Sequence, residues 1–144
     1  MLKIKNSNLV FNHIGIFVKN IKKNEKYLTC LFKIHKKSKI ILDKKLGIKA
    51  KLYYDKKNIC YELVEPYGEK NPVSGYLKRA SNILNHVAYS SKNFDQTIEE
   101  LIKQKYMQIS IAKHSKLFNS RVVFFLSPLN YIIEIIENQK WFFR

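Results

Sequence analysis

His13 in FNHIG and His86 in LNHVA stand out as chemically competent because they recur with their surroundings: FNHIGIFVKN begins at Phe11 and LNHVAYSSKN at Leu84, 73 residues on. At that spacing Asn12, His13, Lys19 and Asn20 fall on Asn85, His86, Lys92 and Asn93. A second match, at an offset of 72, lays CYELVE from Cys60 on IIEIIE from Ile132 and pairs Glu62 with Glu134 and Glu65 with Glu137. Each copy thus supplies one histidine near its start and one glutamate near its end. Two imidazoles and two carboxylates suit a divalent ion that keeps positions open for water or substrate, such as Zn²⁺, Ni²⁺, Co²⁺, Mn²⁺ or Fe²⁺. That reading requires His13, Glu62, His86 and Glu134 to converge. Taken singly, a strand histidine is commonly a hydrogen-bonded structural residue and a strand glutamate a solvated one. Recurrence at matching positions favours the site, although a repeat also preserves residues for folding.

The elements that must position these residues also repeat. VFNHIGIFV alternates β-branched and aromatic residues as a half-buried strand does. In NIKKNEKYLTCLFK, Ile21, Tyr27, Leu28, Leu31 and Phe32 form a helical apolar pattern. KSKIIL, GIKAKLYYD and NICYELVEP read as three strands separated by DKK and DKKN turns, so the first half is βαβββ. NILNHVAYSS begins the order again as a strand, and NFDQTIEELIKQKY is a helix with Asn93 as N-cap and Glu99 and Glu100 inside it. MQISIAK, SRVVFFLSP and NYIIEIIEN supply three further strands. Parity puts His13 on one face with Phe11 and Gly15, and Glu134 with Ile132 and Ile136. A carboxylate among such neighbours is costly to bury without a partner, for which a metal ion and a lysine are the candidates.

These patterns predict one domain over 1–144: module one at about 8–66, a linker at 67–81, module two at about 82–138 and a tail at 139–144. The linker PYGEKNPVSGYLKRAS is expected to hold one short helix from about Pro72 to Arg79, capped by Asn71. Modules of about 60 residues are marginal alone and should pack as one unit on a shared sheet. The fold class expected is α+β, two βαβββ modules in tandem on a shared sheet.

Composition narrows the function classes. With 46% hydrophobic residues the chain can bury a core. It carries no apolar run of membrane-span length and no secretion signal at MLKIKNSNLV, which points to the cytoplasm. Cys30 and Cys60 form no CxxC pair, so neither a disulfide framework nor a thiolate zinc site is expected. The net charge of +16 comes from 27 basic residues against 11 acidic ones, and among the basic residues only Arg79, Arg121 and Arg144 are arginines. Such a field attracts anions, yet the lysines are spread along the whole chain and no nucleic-acid motif accompanies them. Nucleic acid is therefore not the expected partner. The aromatic tail QKWFFR is read as packing on the chain's own sheet or onto a second subunit, with the homodimer contact favoured.

HIGIFVKNI, YELVEPYGEKNPVSGYLKR, NHVAYSSKNFDQTIEELIK and RVVFFLSPLNYIIEIIE together resemble the vicinal-oxygen-chelate superfamily, from about Val10 to Glu137. ELVEPYGEKNPVSGYL looks most like methylmalonyl-CoA epimerase, with glyoxalase I as the next neighbour. The resemblance implies a curved mixed sheet around a metal site, metal ligands at His13, Glu62, His86 and Glu134, and a metal-dependent isomerase or epimerase that abstracts a proton beside a carbonyl. Glu134 is the first candidate base and Glu62 the second. A glyoxalase I-like lyase acting on hemithioacetals, or a non-catalytic small-molecule-binding protein, is the alternative. The implied substrate is a small molecule such as an acyl-CoA, whose phosphates would use basic residues. Arg121 is a candidate anion contact or a solvated strand end, His114 a pocket or surface residue, and Cys60 a pocket wall if it shares the face of Glu62. Two departures stand out: some epimerases carry a further acid where this chain has Ala50, flanked by Lys49 and Lys51, and the family's glycine-bearing loop before the penultimate strand reads KLFNSR here.

Overall fold

LVFNHIGIFV forms the first strand, β1 at Leu9–Val18, in a computed structural model that describes residues 9–137. It is followed by α1 (Ile21–Thr29), β2 (Ile34–Lys37), β3 (Ile41–Asp43), β4 (Ile48–Asp55) and β5 (Cys60–Pro66). A 3-10 turn at Tyr76–Lys78 leads to β6 (Asn82–Ser91), α2 (Phe94–Lys103), β7 (Met107–Gln108), β8 (Lys113–Ser115), β9 (Ser120–Leu126) and β10 (Ile132–Glu137). The chain is α+β, with parallel and antiparallel strand pairs mixed, as the sequence predicts. No helix among the described residues is long and apolar enough to cross a membrane. The tail at 139–144, including the expected homodimer contact, lies outside the described residues.

The described residues fall into two compact units, with divisions inside β1, between Asn12 and His13, and inside β6, between Asn85 and His86. In the His13–Asn85 unit the strand order is β2-β4-β5-β1, with β3 on β4. β1 and β5 run parallel, with Gly15 opposite Glu62, while β4 is antiparallel to β5, with Leu52 opposite Glu62. One face of this sheet carries α1: Val18, Tyr53 and Leu63 form a buried cluster with Ile21 and Leu28. On the other face Phe17 and Val64 pack with Val73 and Leu77 of the linker.

The second unit has the order β6-β10-β9-β7, with β8 on β9. β6 and β10 are parallel, and β9 is antiparallel to β10. Phe94 and Leu101 of α2 cover Val123, Phe125, Ile133 and Ile135. The 73-residue offset holds from β1 through α1, since Ile21 and Phe94 begin the two helices, and the 72-residue offset holds at Leu52 and Phe124. The single-residue slip therefore lies between the helix and the fourth strand.

Several local expectations need correction. The strand expected at KSKIIL is two strands, β2 and β3, because IHKK already pairs with β4. MQISIAK is broken into strand pairing at Met107 and Gln108 and again at Lys113, where β8 begins. The linker helix contracts to Tyr76–Lys78; Asn71 does accept from the amides of Val73 and Ser74, at 3.0 and 2.7 Å, but this closes a turn rather than a helix. In α1 the expected apolar positions Tyr27 and Leu31 are exposed, leaving Ile21 and Leu28 as its buried residues. Asn93 occupies the N-cap of α2 without a side-chain capping bond. Ser91 replaces it: its Oγ accepts from the Asn93 amide at 3.1 Å and bonds Thr97 Oγ1 at 2.7 Å.

Asn20 caps α1 through a 2.9 Å bond from the Lys23 amide. α1 has no acidic residue in its first turn. Glu65 supplies one from β5, accepting the Ile21 amide at 2.9 Å and so placing a carboxylate at the positive end of the helix dipole. Midway along the helix, Glu25 accepts from Lys51 Nζ at 2.9 Å and from the buried Tyr53 hydroxyl at 2.8 Å. The hydrogen bonds from Lys51 and Tyr53 hold the Glu25 carboxyl below its ordinary pKa of 4.5. A depressed carboxyl pKa stabilises the fold above the unfolded value, and that contribution is lost as pH falls through the folded value. Glu25→Gln should thus cost on the order of 1 kcal/mol at pH 7, and the difference in melting temperature from wild type should shrink below about pH 4.5, as followed by circular dichroism across a pH series.

Candidate metal centre

Strand register places the four sequence-predicted residues in the same way twice. In the parallel pair β1 and β5, Glu62 stands opposite Gly15, two residues past His13. In the parallel pair β6 and β10, Glu134 stands opposite Ala88, two residues past His86. Residues two apart share a strand face, so each glutamate projects beside its histidine on the face away from the helix. His13 Nε2 lies 3.6 Å from Glu62 Oε2 and His86 Nε2 lies 3.0 Å from Glu134 Oε2. All four side chains are buried, His13 completely.

The spacing tests the donor set. With metal–nitrogen and metal–oxygen bonds of about 2.1 Å, two ligands on one ion stand about 3.0 Å apart at a right angle and about 3.4 Å apart at a tetrahedral one. The two observed separations lie close to those values. An imidazole and a carboxylate are ligands that zinc and the neighbouring divalent metals accept. Each pair therefore has the spacing of two ligands on one ion.

The strands flanking each glutamate are apolar. Leu52 is opposite Glu62 on β4, and Phe124 is its counterpart opposite Glu134 on β9. The Phe124 ring meets the His86 ring edge to face, with centroids 5.4 Å apart. Ala50 is buried on the same face as Leu52, so β4 brings no carboxylate to the position where some epimerases have one. Lys49 and Lys51 do not replace it. Their parity turns them to the helix face, where Lys49 pairs with Glu65 at 3.4 Å and Lys51 with Glu25.

Cys60 does share the face of Glu62, and burial and the Glu62 charge push its thiol up to about 12, outweighing its bond to Tyr54. It lines the face as a neutral thiol and is no nucleophile near pH 7. Arg121 is not an anion contact. Its guanidinium is held by Glu137 at 2.8 and 2.9 Å and by both Asp95 oxygens at 3.1 Å, above the Phe94 ring. These two carboxylates push its pKa up, while Arg121 holds Glu137 below the ordinary range. His114 is exposed on β8, 3.2 Å from Asn119 Oδ1. In KLFNSR, Asn119 takes a left-handed conformation (φ 49°) suited to glycine, one that asparagine tolerates. The sequence reading missed Leu52 and Phe124; the 72-residue offset that matched the glutamates also matches these two.

Comparison with known proteins follows the same lines. No curated protein matches the sequence closely enough to count as a relative. Among solved structures, a hypothetical protein from Bacillus halodurans shares the fold with a TM-score of 0.79 at 20% identity, over 94% of this chain and 98% of its own. Methylmalonyl-CoA epimerase from Mycobacterium tuberculosis has a TM-score of 0.78 at 18% identity, covering 97% and 94%. The Streptomyces coelicolor methylmalonyl-CoA epimerase in complex with 2-nitronate-propionyl-CoA has 0.68 at 14% identity, covering 88% and 95%. At such identities the likeness establishes the fold alone. Residues 12–125 match the sequence pattern of one family, and on that match this chain belongs to the Glyoxalase/Bleomycin resistance protein/Dioxygenase superfamily.

Proposed function

We propose that this chain is a divalent-metal-dependent isomerase or epimerase of methylmalonyl-CoA epimerase type, which removes a proton from the carbon beside a substrate carbonyl. His13, Glu62, His86 and Glu134 are its metal ligands. The observation that carries the reading is the repeated register: a buried imidazole and a buried carboxylate meet twice, each time two residues apart across a parallel strand pair. A divalent ion held by these donors would supply a Lewis acid for the substrate carbonyl oxygen.

The chain's own residues must move the proton. Glu134 is the first candidate base and Glu62 the second, each with a carboxylate oxygen available if only one is engaged as ligand. Leu52 and Phe124 stand opposite the two carboxylates, which are both buried. Removing the proton with one carboxylate and returning it to the opposite face gives epimerisation. Returning it to the adjacent carbon gives the isomerisation of a glyoxalase I-like lyase on a hemithioacetal. The absence of an acid at Ala50 favours keeping that second reading in the test. The setting proposed is cytoplasmic, and the assembly a homodimer.

Metal should stabilise the protein. Zn²⁺, Ni²⁺, Co²⁺, Mn²⁺ or Fe²⁺ at one hundred times its dissociation constant should add about 2.7 kcal/mol, read as a rise in melting temperature that a chelator reverses. Turnover is tested by proton mass spectrometry in D₂O, with methylmalonyl-CoA, other 2-substituted acyl-CoA thioesters and hemithioacetals. Metal-dependent deuterium incorporation into one of these supports the proposal, and Glu134→Gln should slow it by about 100-fold or more, with a smaller loss for Glu62→Gln. No incorporation from any of them, with metal bound, would identify a binding protein instead.

A further inference from the structure

We infer that the outer face of α1 docks on an anionic lipid surface, with Tyr27 and Leu31 entering the headgroup boundary and Lys22, Lys23 and Lys26 meeting the lipid phosphates. α1 covers the sheet face opposite His13 and Glu62, so this surface takes no part in the proposed reaction. Ile21 and Leu28 hold the helix to its sheet, while Tyr27 in the last turn and Leu31 just past the Cys30 cap are 63% and 75% exposed. The helical path runs on beyond that cap, where the Phe32 amide donates to the Leu28 carbonyl at 2.8 Å, so positions 27 and 31 share a side. Lysines surround them. Lys22, Lys23 and Lys26 are exposed, and Lys26 Nζ stands 5.3 Å from the centre of the Tyr27 ring. Past the helix, Lys33 and Lys56 are exposed and joined by a 3.1 Å backbone bond. The one carboxylate of α1, Glu25, is turned to β4, where Lys51 and Tyr53 hold it.

The repeat separates what the fold requires from what this surface adds. At the 73-residue offset Lys22, Lys26, Tyr27 and Leu31 match Asp95, Glu99, Glu100 and Gln104 of the second unit. α2 packs on its own sheet through Phe94 and Leu101, the counterparts of Ile21 and Leu28. Packing therefore demands neither a lysine nor an apolar residue at these places, and a bias toward lysine along the chain would not spare α2. A surface apolar at its centre and basic at its rim complements a bilayer of anionic lipids. Tyrosine and leucine gain by leaving water at the boundary, and each lysine gains from the negative surface potential. Two features favour this occupant over nucleic acid or an acidic protein. Nucleic-acid strands stack on aromatic rings and pair with cations, which leaves an exposed leucine without a role. α1 also carries no arginine, whose planar fork suits fixed phosphates and carboxylates; the mobile point charge of lysine suits a fluid array of headgroups.

Cys30 is exposed and Cys60 buried, so an environment-sensitive fluorophore can be attached at Cys30 of the unsubstituted full chain. With vesicles of phosphatidylcholine containing roughly 30% phosphatidylserine, its emission should shift to the blue, and about tenfold more protein should cosediment than with phosphatidylcholine alone. Tyr27→Ser with Leu31→Gln, which leaves the charge unchanged, should lower that binding about fivefold or more. Lys22→Asp with Lys26→Glu, the residues that α2 carries, should lower it about tenfold or more. Both pairs should keep the wild-type circular dichroism spectrum, and the fluorophore reads the contact even without them. Equal sedimentation with the two vesicle compositions, or no blue shift in the vesicle-bound chain, overturns the inference. Binding that the Tyr27 and Leu31 substitutions leave unchanged also overturns it, showing only diffuse attraction to the lysines of the whole chain. So does tighter binding of a single-stranded RNA that the same two substitutions weaken, which would assign the face to nucleic acid.

Discussion

The parallel pairing of the histidine strand with the glutamate strand is the constraint on which the rest depends. It fixes Glu62 opposite Gly15 and Glu134 opposite Ala88, and so sets each carboxylate beside an imidazole on a buried face. Burying these polar groups opposes folding unless they are satisfied. The opposite faces compensate with apolar clusters under α1 and α2, in which Tyr53, Ile21, Phe125 and Ile135 are fully buried. Each unit thus has a helix-covered apolar face and an opposite face that carries its His–Glu pair.

The repeat is symmetric where chemistry is concerned and divergent where it is not. His13 and His86, Glu62 and Glu134, and Leu52 and Phe124 keep equivalent places. The second repeated glutamate pair has split its tasks: Glu65 holds the first amide of α1, while Glu137 holds Arg121 against α2. The helix caps have also separated, with Asn20 capping by its side chain and Asn93 deferring to Ser91.

Much of this was legible in the sequence because the repeat tied distant residues together. β6 spans Asn82–Ser91 as its alternation predicts, and the offsets of 73 and 72 identified the pairs that register later joins. What escaped was local. β2 at IHKK begins before the expected strand KSKIIL, where an edge strand tolerates lysine on both faces. The helix expected from Pro72 to Arg79 has too little apolar surface to extend, burying Val73 and Leu77 alone, and Asn71 closes a turn before it. Arg121 looked available to an anion because its carboxylate partners, Asp95 and Glu137, lie 26 and 16 residues away.

The proposal that His13, Glu62, His86 and Glu134 are ligands of a divalent ion is tested most directly by metal stoichiometry. Metal analysis of the chain loaded with Zn²⁺ or Ni²⁺ and dialysed should find one ion per chain, and His13→Ala or His86→Ala, changed one at a time, should each abolish retention of that same ion. Two ions per chain, with each substitution removing only one, would contradict it, as would retention unaffected by either change.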